Sequence, residues 1–98
     1  MEEYANTVLD TIDKKEVISR RLYRDSCTKT GDGLAKDLSK HFGDIRRVII
    51  VDNSSLAISL QPENAIHCSD FRSDPNDREL EKIEGVMVLM KDAEDVRV

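Results

Sequence analysis

Asp52 and Asn53 are the residues whose types and position best suit chemistry, because they directly follow the apolar run 48–51. Four β-branched residues without alternation are typical of a strand buried on both faces, as in a parallel sheet. We predict a strand over 47–51 that ends at Asp52, since Asp, Asn and Ser disfavour strands and form turns. In open α/β sheets, ligands and metals bind at the carboxyl ends of strands. The alternative is that both side chains only begin a turn or cap the next helix.

Lys36 is a second candidate, and the sequence puts it in the second arm of a predicted β-hairpin. We predict the hairpin over 27–38, because the Gly-Asp-Gly sequence at 31–33 can supply positive φ between two short strands. Lys36 shares a face with Leu34 and Leu38. Such a lysine either extends its ammonium group to solvent or lies in a cleft, where it neutralises an anion.

The composition restricts the class of protein. The 98 residues suffice for one domain with a thin core, since 39% are hydrophobic and 36% are charged. A net charge of −5 argues against a general nucleic-acid binder. Cys27 and Cys68 lack zinc-ligand spacing, so we expect reduced thiols in an intracellular protein. No apolar run approaches membrane-spanning length, and the acidic start is unlike a signal or transit peptide.

The remaining elements follow from hydrophobic spacing and from turn-forming residues. Apolar residues four apart indicate an amphipathic helix, alternation indicates a strand, and Asp-Pro marks a helix start. These patterns predict a helix through Tyr4, Val8 and Ile12, a strand over 17–23, short helical turns after Asp37 and over 54–60, a strand over 65–68, a helix from Pro75 to about Met90 capped by Asp74, and a last strand over 96–98. We expect the methionines of the last helix to fill the core.

Several short motifs occur in one order along most of the chain. They are Tyr4-Ala5 with Val8-Leu9-Asp10, Arg21-Leu22-Tyr23-Arg24 with Ser26-Cys27, Lys36-Asp37-Leu38-Ser39, Val51-Asp52-Asn53-Ser54 and Pro62-Glu63-Asn64-Ala65-Ile66. Together they resemble the small C-terminal-domain phosphatase (NLI-interacting-factor-like, FCP/SCP homology) family of haloacid-dehalogenase-type enzymes. Residues 71–77 and 95–97 are most similar to its Dullard-like, nuclear-envelope branch.

The resemblance implies a fold and a function. The fold would be α/β: a partial haloacid-dehalogenase-like (Rossmann-like) fold with a β-hairpin insertion, in which strand 47–51 pairs in parallel with strand 65–68 and the last helix covers one face. The function would be Mg²⁺-dependent hydrolysis of phosphoserine or phosphothreonine in a protein or peptide. RNA polymerase II C-terminal-domain or lipin-type substrates in the nucleus, nuclear envelope or cytoplasm are the family's examples.

The resemblance also implies roles for individual residues. Lys36 would screen the phosphoryl charge, Asp52 and Asn53 would serve the Mg²⁺ site, and Arg24 would line the substrate cleft. These roles suit phosphoryl transfer, which depends mainly on positioning and charge neutralisation. We therefore predict that Lys36 and Asp52 approach each other in the fold.

The sequence departs from the family pattern at its most important motif. The family's nucleophile lies in an Asp-x-Asp-x-Thr/Val motif, and no Asp-x-Asp occurs among residues 1–98. We therefore expect 1–98 to be the C-terminal portion of the domain, to lack its first strand, and to be inactive alone. The open strand edge would favour oligomers. The alternatives are a non-catalytic pseudophosphatase that acts as an interaction module, or a truncated gene product.

Overall fold

The computed structural model describes residues 2–97 and combines helices with two small sheets. The helices and strands are α1 (Glu2–Ile12), β1 (Thr28–Thr30), β2 (Gly33–Ala35), α2 (Leu38–His41), β3 (Ile50–Asp52), β4 (Ala65–His67) and α3 (Glu79–Met90). Single 3₁₀ turns precede β1, at Arg24–Ser26, and β4, at Pro62–Asn64. The mixed α/β class is as predicted. No helix within residues 2–97 has the length and apolar character needed to cross a membrane.

The two predicted strand pairings are confirmed. Strands β1 and β2 form an antiparallel hairpin, and Gly33 has a φ of 139°, which favours glycine. Strands β3 and β4 pair in parallel, with Ile50 opposite Ala65 and Asp52 opposite His67. Strand β3 ends at Asp52 as predicted, but it begins at Ile50, so residues 47–49 lie outside the strand.

The Asn64 side chain explains why the strand begins late. Its Nδ2 group donates hydrogen bonds to the carbonyl oxygens of Ile45 (2.7 Å) and Val48 (2.9 Å). The N–H group of Val48 bonds back to Ile45, which closes a turn. The backbone groups of Ile45 and Val48 therefore bond within a turn and to the Asn64 side chain, and they are not available for pairing with a strand. Asn64 directly precedes β4 and thus fixes the segment that leads into β3.

Arg47 fixes the same segment to the last helix. Its guanidinium donates hydrogen bonds to the carbonyl oxygens of Met90, Lys91 (2.6 Å) and Ala93, at the carboxyl end of α3. The last carbonyl groups of a helix lack partners within it and carry partial negative charge, so a cation is favourable there. Arg47 thus holds α3 beside the start of β3.

The apolar core is small. Within residues 2–97, the buried apolar side chains are Ala35, Leu38, Ala57 and Ile83. Helix α3 contributes only Ile83 among them, and Met87 is exposed. The prediction that the methionines fill the core is therefore wrong for Met87, because few described residues lie over that side of α3.

The strand predicted over 17–23 is wrong, because this segment is irregular. The Asp13 carboxylate accepts hydrogen bonds from the backbone N–H groups of Val17 (2.9 Å) and Ile18 (3.0 Å). Among the described residues, no strand pairs with this segment. An alternating pattern does not form a strand when a side chain takes its donors and no partner strand is available.

The predicted start of the last helix is also wrong, since α3 begins at Glu79 and not at Pro75. The Asp74 carboxylate accepts a hydrogen bond from the N–H of Asn76, and Asp77 accepts one from the N–H of Glu79. The carboxylates of Asp74 and Asp77 therefore each close a turn before α3 begins, and Asp74 does not cap a helix that starts at Pro75.

The shorter predictions had mixed outcomes. The helix through Tyr4 and the helical turn after Asp37 are confirmed as α1 and α2, and residues 55–60 form turns that do not extend into a regular helix. Val96 lies outside any strand, although its N–H donates to Arg46 O at 2.7 Å. Val98, in the predicted last strand, lies outside the described residues.

We expect Asn64→Ala to lower the free energy of unfolding by about 2–3 kcal/mol, because two carbonyl groups lose a donor that is only 3% exposed. Urea unfolding followed by circular dichroism measures this loss. Asn76→Ala is the matched control, since Asn76 is exposed, and it should change stability by less than about 0.5 kcal/mol. Equal effects of the two substitutions would contradict the role of Asn64.

Candidate active site

An open cleft of about 800 Å³ lies between the hairpin, α2 and the carboxyl end of β3. Its polar lining includes three of the candidate residues, Arg24, Lys36 and Asp52. Its apolar wall is formed by Ala5, Leu22, Leu34, Leu38, Phe42, Ile50 and Ala57. The cleft thus combines an apolar surface with charged groups of both signs, which suits a ligand that has an apolar part and an anionic group.

Lys36 and Asp52 form an ion pair across the cleft, as predicted. Lys36 Nζ lies 2.5 Å from Asp52 Oδ2. The Lys36 side chain is 52% exposed, whereas that of Asp52 is 9% exposed. The lysine is therefore neither a simple solvent-extended side chain nor buried, and its ammonium group is held by Asp52 where an anion can approach.

The position of Lys36 follows from how the hairpin packs on the segment after β3. The N–H group of Lys36 donates to the carbonyl oxygen of Ala57 at 2.9 Å, one residue beyond β2. At Gly33 the backbone approaches Leu56 so closely that a Cβ atom would lie 2.8 Å from Leu56 Cδ2. Glycine at this position thus permits both the positive φ and the close contact that bring Lys36 over the cleft.

Asp52 is oriented by its own turn. Its Oδ1 atom accepts a hydrogen bond from the N–H group of Ser54 at 2.9 Å, and Oδ2 accepts the one from Lys36. Burial raises the pKa of Asp52, but the hydrogen bonds from Lys36 and Ser54 outweigh this effect, so the net pKa lies below its usual value. Asp52 is therefore a fixed carboxylate at neutral pH. The sequence alone also allowed the interpretation that Asp52 only begins a turn. In the structure this turn forms, and its N–H group orients the carboxylate of the site.

Asn53 points to a different partner. Its side-chain Nδ2 group donates to Asp70 Oδ1 at 2.8 Å, while its backbone carbonyl oxygen lies 2.9 Å from Nε2 of the exposed His67. Among residues 2–97, no three His, Cys, Asp or Glu side chains form a cluster that could hold a metal ion. Mg²⁺ commonly takes one or two protein oxygens and completes its octahedron with water and substrate phosphate. Asp52 and Asn53 fit part of such a shell by their chemistry.

Arg24 lines the cleft and directly follows Tyr23, which contacts α1. It begins the 3₁₀ turn Arg24–Ser26, and its carbonyl oxygen accepts a hydrogen bond from the N–H of Cys27. The preceding Tyr23 donates through its hydroxyl to Asn6 Oδ1 at 2.5 Å, which fixes this segment against α1. The exposed Arg24 side chain shares the cleft with Lys36, so the cleft presents two cations to a ligand.

Gln61 is a supporting residue that the sequence analysis missed. Its Nε2 group donates to Asp37 Oδ1 (2.8 Å), and its Oε1 atom accepts from the N–H of Leu38 (2.9 Å). Hydrogen bonds from Ser39 and then from Gln61 lower the pKa of Asp37 and hold its carboxylate at the start of α2. No local pattern predicts a contact across 24 residues, so only the fold reveals it.

Comparison with known proteins gives consistent matches along the chain. The family model for NLI interacting factor-like phosphatases matches residues 1–97. The chain is 40% identical to a probable C-terminal domain small phosphatase of Dictyostelium discoideum over 96 residues, which are 98% of this chain and 31% of that protein. It is 37% identical to CTD nuclear envelope phosphatase 1B of Danio rerio over 98 residues, 99% of this chain and 40% of that protein.

A human relative extends the comparison. The chain is 35% identical to carboxy-terminal domain RNA polymerase II polypeptide A small phosphatase 2 of Homo sapiens over 94 residues, 96% of this chain and 35% of that protein. The chain therefore spans well under half the length of these three relatives, and the similarity extends over nearly all of its own length.

We expect Lys36→Met to raise the pKa of Asp52, because burial remains while the neighbouring cation is lost. In the wild type, the lowered pKa gives stability that is present above the ordinary value of 3.8 and is lost as pH falls through the folded-state pKa. The variant should thus be less stable than the wild type by about 1 kcal/mol near neutral pH, with a smaller difference in acid.

Carbon-13 NMR titration of the Asp52 carboxyl group and urea unfolding at several pH values measure both effects. Lys29→Met is the matched control, because Lys29 is an exposed lysine of the same hairpin and none of the described ion pairs includes it. An unchanged Asp52 pKa in Lys36→Met would contradict the ion pair.

Proposed function

The chain belongs to the NLI interacting factor-like phosphatase family, and we propose that it is part of a Mg²⁺-dependent protein phosphatase that acts on phosphoserine or phosphothreonine. The observation that carries the proposal is the Lys36–Asp52 ion pair, 2.5 Å long, in a cleft that also contains Arg24. A phosphorylated side chain is a dianion near neutral pH, and two cations beside an apolar wall suit it.

Each cation has a separate part in the proposed mechanism. Lys36 is partly exposed and directed by Asp52, so it neutralises the charge that the phosphoryl group carries during transfer. Arg24 is an exposed residue of the same cleft and holds the phosphopeptide, since its planar guanidinium can donate two hydrogen bonds to one phosphate. Asp52 keeps the ammonium group of Lys36 in position between turnovers.

We further propose that Asp52 and Asn53 provide protein oxygens to Mg²⁺. When bound, the ion would supply positive charge beside the phosphoryl oxygens. Asp52 is suited to this role because its lowered pKa keeps it ionised, and Asn53 because its amide group is held by Asp70. Water and groups from outside these 98 residues would complete the six ligands.

The covalent step requires residues that these 98 positions do not contain. In the proposed reaction, an aspartate oxygen attacks phosphorus and the serine or threonine oxygen leaves with a proton from a second aspartate; water then hydrolyses the aspartyl phosphate. The sequence has no Asp-x-Asp. We propose that this pair comes from a segment outside the 98 residues, because the relatives are more than twice as long as the region they share with this chain.

The two cations of the cleft also fit a second candidate function. Without the aspartate pair, a cleft with two cations can still bind a phosphorylated partner and protect it from other phosphatases. The chain would then be a pseudophosphatase that acts as an interaction module. The two functions differ in turnover and share the ligand class.

The relatives' names suggest where such a substrate would be found. One relative is named for the nuclear envelope, and another for the carboxy-terminal domain of an RNA polymerase II polypeptide. We therefore propose a phosphorylated protein of the nucleus or nuclear envelope as the substrate class. The RNA polymerase II C-terminal domain is one example of this class, and lipin-type proteins are another.

We expect the 98-residue chain alone to hydrolyse neither p-nitrophenyl phosphate nor a phosphoserine peptide above background in the presence of Mg²⁺. Charge neutralisation without a positioned nucleophile leaves most of the barrier in place. Adding in trans a segment of a relative that bears Asp-x-Asp-x-Thr should produce Mg²⁺-dependent turnover, which Asp52→Ala abolishes.

Asp92→Ala is the matched control, because Asp92 is exposed and lies outside the cleft lining, and it should leave the restored turnover unchanged. Turnover by the chain alone that disappears in Asp52→Ala would contradict the proposal of an external nucleophile. Peptide binding without turnover in the complemented sample would favour the pseudophosphatase.

A further inference from the structure

The side-chain amide of Asn53 has one bonded atom and one free atom. Its Nδ2 group donates to Asp70 Oδ1 at 2.8 Å, whereas its Oδ1 atom accepts no hydrogen bond from residues 2–97. An amide oxygen has lone pairs that a hard cation such as Mg²⁺ can bind, and an amide nitrogen only donates. The free atom of Asn53 is therefore the one that a metal site requires.

The carboxylate of Asp70 decides which atom of the amide stays free. The terminal torsion of an asparagine side chain is broad and roughly two-fold, so the oxygen and the nitrogen can exchange places. An ionised carboxylate only accepts hydrogen bonds, so it pairs with the nitrogen and disfavours the orientation in which the oxygen of Asn53 would face it. Asp70 thus selects one of the two orientations of the amide.

Both oxygens of the Asp70 carboxylate already have a donor. Oδ1 accepts from Asn53, and Oδ2 forms an ion pair with Nη2 of Arg72 at 3.2 Å. The guanidinium offsets the negative charge of Asp70 and fixes the second oxygen. Asp70 therefore suits a group that orients a metal ligand better than it suits a ligand.

The pairing of β3 with β4 brings this carboxylate beside Asn53. His67 lies opposite Asp52, and the N–H group of Cys68 donates to the carbonyl oxygen of Asp52 at 3.0 Å. His67 Nε2 also lies 2.9 Å from the backbone carbonyl oxygen of Asn53. The segment that follows β4 therefore runs alongside Asn53 and contacts both its backbone and its side chain.

A contact with α3 holds the same segment from the other direction. The N–H group of Ser69, the residue before Asp70, donates to Glu79 Oε1 at 3.3 Å, and Glu79 is the first residue of α3. Asn53 and Asp70 are exposed, so water competes for their hydrogen bond. The attachments to β3 and α3 favour the bond because they restrict the backbone on which Asp70 stands.

Building on the proposed role of Asn53 in the Mg²⁺ site, we propose that Asp70 is a positioning residue of that site. Asp70 keeps the amide of Asn53 in the orientation that leaves Oδ1 available to the ion, and Asp70 does not bind the ion itself. Each of the two proposed ligands then has its own orienting groups, because Lys36 and Ser54 hold the carboxylate of Asp52.

Removing a group that orients a metal ligand typically weakens metal binding by about 10–100-fold. We expect Asp70→Ala to weaken Mg²⁺ binding at Asn53 by at least about tenfold, because the free amide must then be ordered by the ion. Titration of the 98-residue chain with MgCl₂, followed by ¹H–¹⁵N NMR spectra, measures this loss. The signals to follow are the side-chain amide of Asn53 and the backbone amides of Asn53 and Ser54.

The same spectra give a signature of orientation before any Mg²⁺ is added. One of the two side-chain amide protons of Asn53 is bonded to a carboxylate in the wild type, so the two protons should resonate far apart. They should move closer together in Asp70→Ala. Unchanged backbone amide signals of β4 and α3 check that the variant keeps its fold.

Asp70→Asn separates positioning from charge. This variant keeps an oxygen that can accept from Asn53 Nδ2 and removes the negative charge, so its Mg²⁺ affinity should stay closer to that of the wild type than to that of Asp70→Ala. Asp92→Ala is the matched control, since it removes an exposed carboxylate from the segment after α3, and it should leave the affinity at Asn53 unchanged.

The outcomes distinguish this inference from the proposed function. Equal Mg²⁺ affinities of the wild type and Asp70→Ala would overturn the positioning role and leave the proposed Mg²⁺ site intact. An equal loss in Asp70→Asn and Asp70→Ala would also overturn it, because charge alone would then explain the effect. A wild type whose Asn53 signals do not respond to MgCl₂ would overturn the proposed Mg²⁺ site and the positioning role together.

Discussion

The ion pair between Lys36 and Asp52 joins the two sheets of this chain and defines its cleft. It requires that the hairpin arm pack over the carboxyl end of β3, and the bond from Lys36 N–H to Ala57 O holds it there. It also requires the close approach of Gly33 to Leu56. Two side chains sixteen residues apart in sequence thus form one ion pair, and the N–H group of Ser54 donates a further hydrogen bond to the carboxylate.

Hydrogen bonds from polar side chains hold the elements together where a larger apolar core would otherwise do so. Four apolar side chains are buried within residues 2–97, which is few for a chain of this length. Asn64 instead binds two carbonyl groups before β3, and Arg47 binds three at the end of α3. Both residues act on the segment that leads into β3, so the position of Asp52 depends on them. Substitutions far from the cleft are therefore able to disturb it.

The sequence predicted those parts of the fold that local pattern determines. The hairpin, the strand end at Asp52 and the pairing of β3 with β4 agree with the structure. The strand over 17–23 and the start of α3 were wrong because side chains of Asp13, Asp74 and Asp77 take backbone donors that the patterns assign to regular structure. The approach of Lys36 to Asp52 was predicted through the family resemblance, while the contact of Gln61 with Asp37 spans 24 residues and has no local signal.

We propose that the cleft around Lys36 and Asp52 binds the phosphorylated substrate. Binding needs no nucleophile, so it can be measured on this chain directly by titrating a phosphoserine peptide and recording ¹H–¹⁵N NMR spectra. We expect saturable shift changes at the amides of Arg24, Lys36 and Ser54, little change in α3, and much weaker binding in Lys36→Met. Shift changes confined to other surfaces, or binding that Lys36→Met leaves unchanged, would contradict the claim.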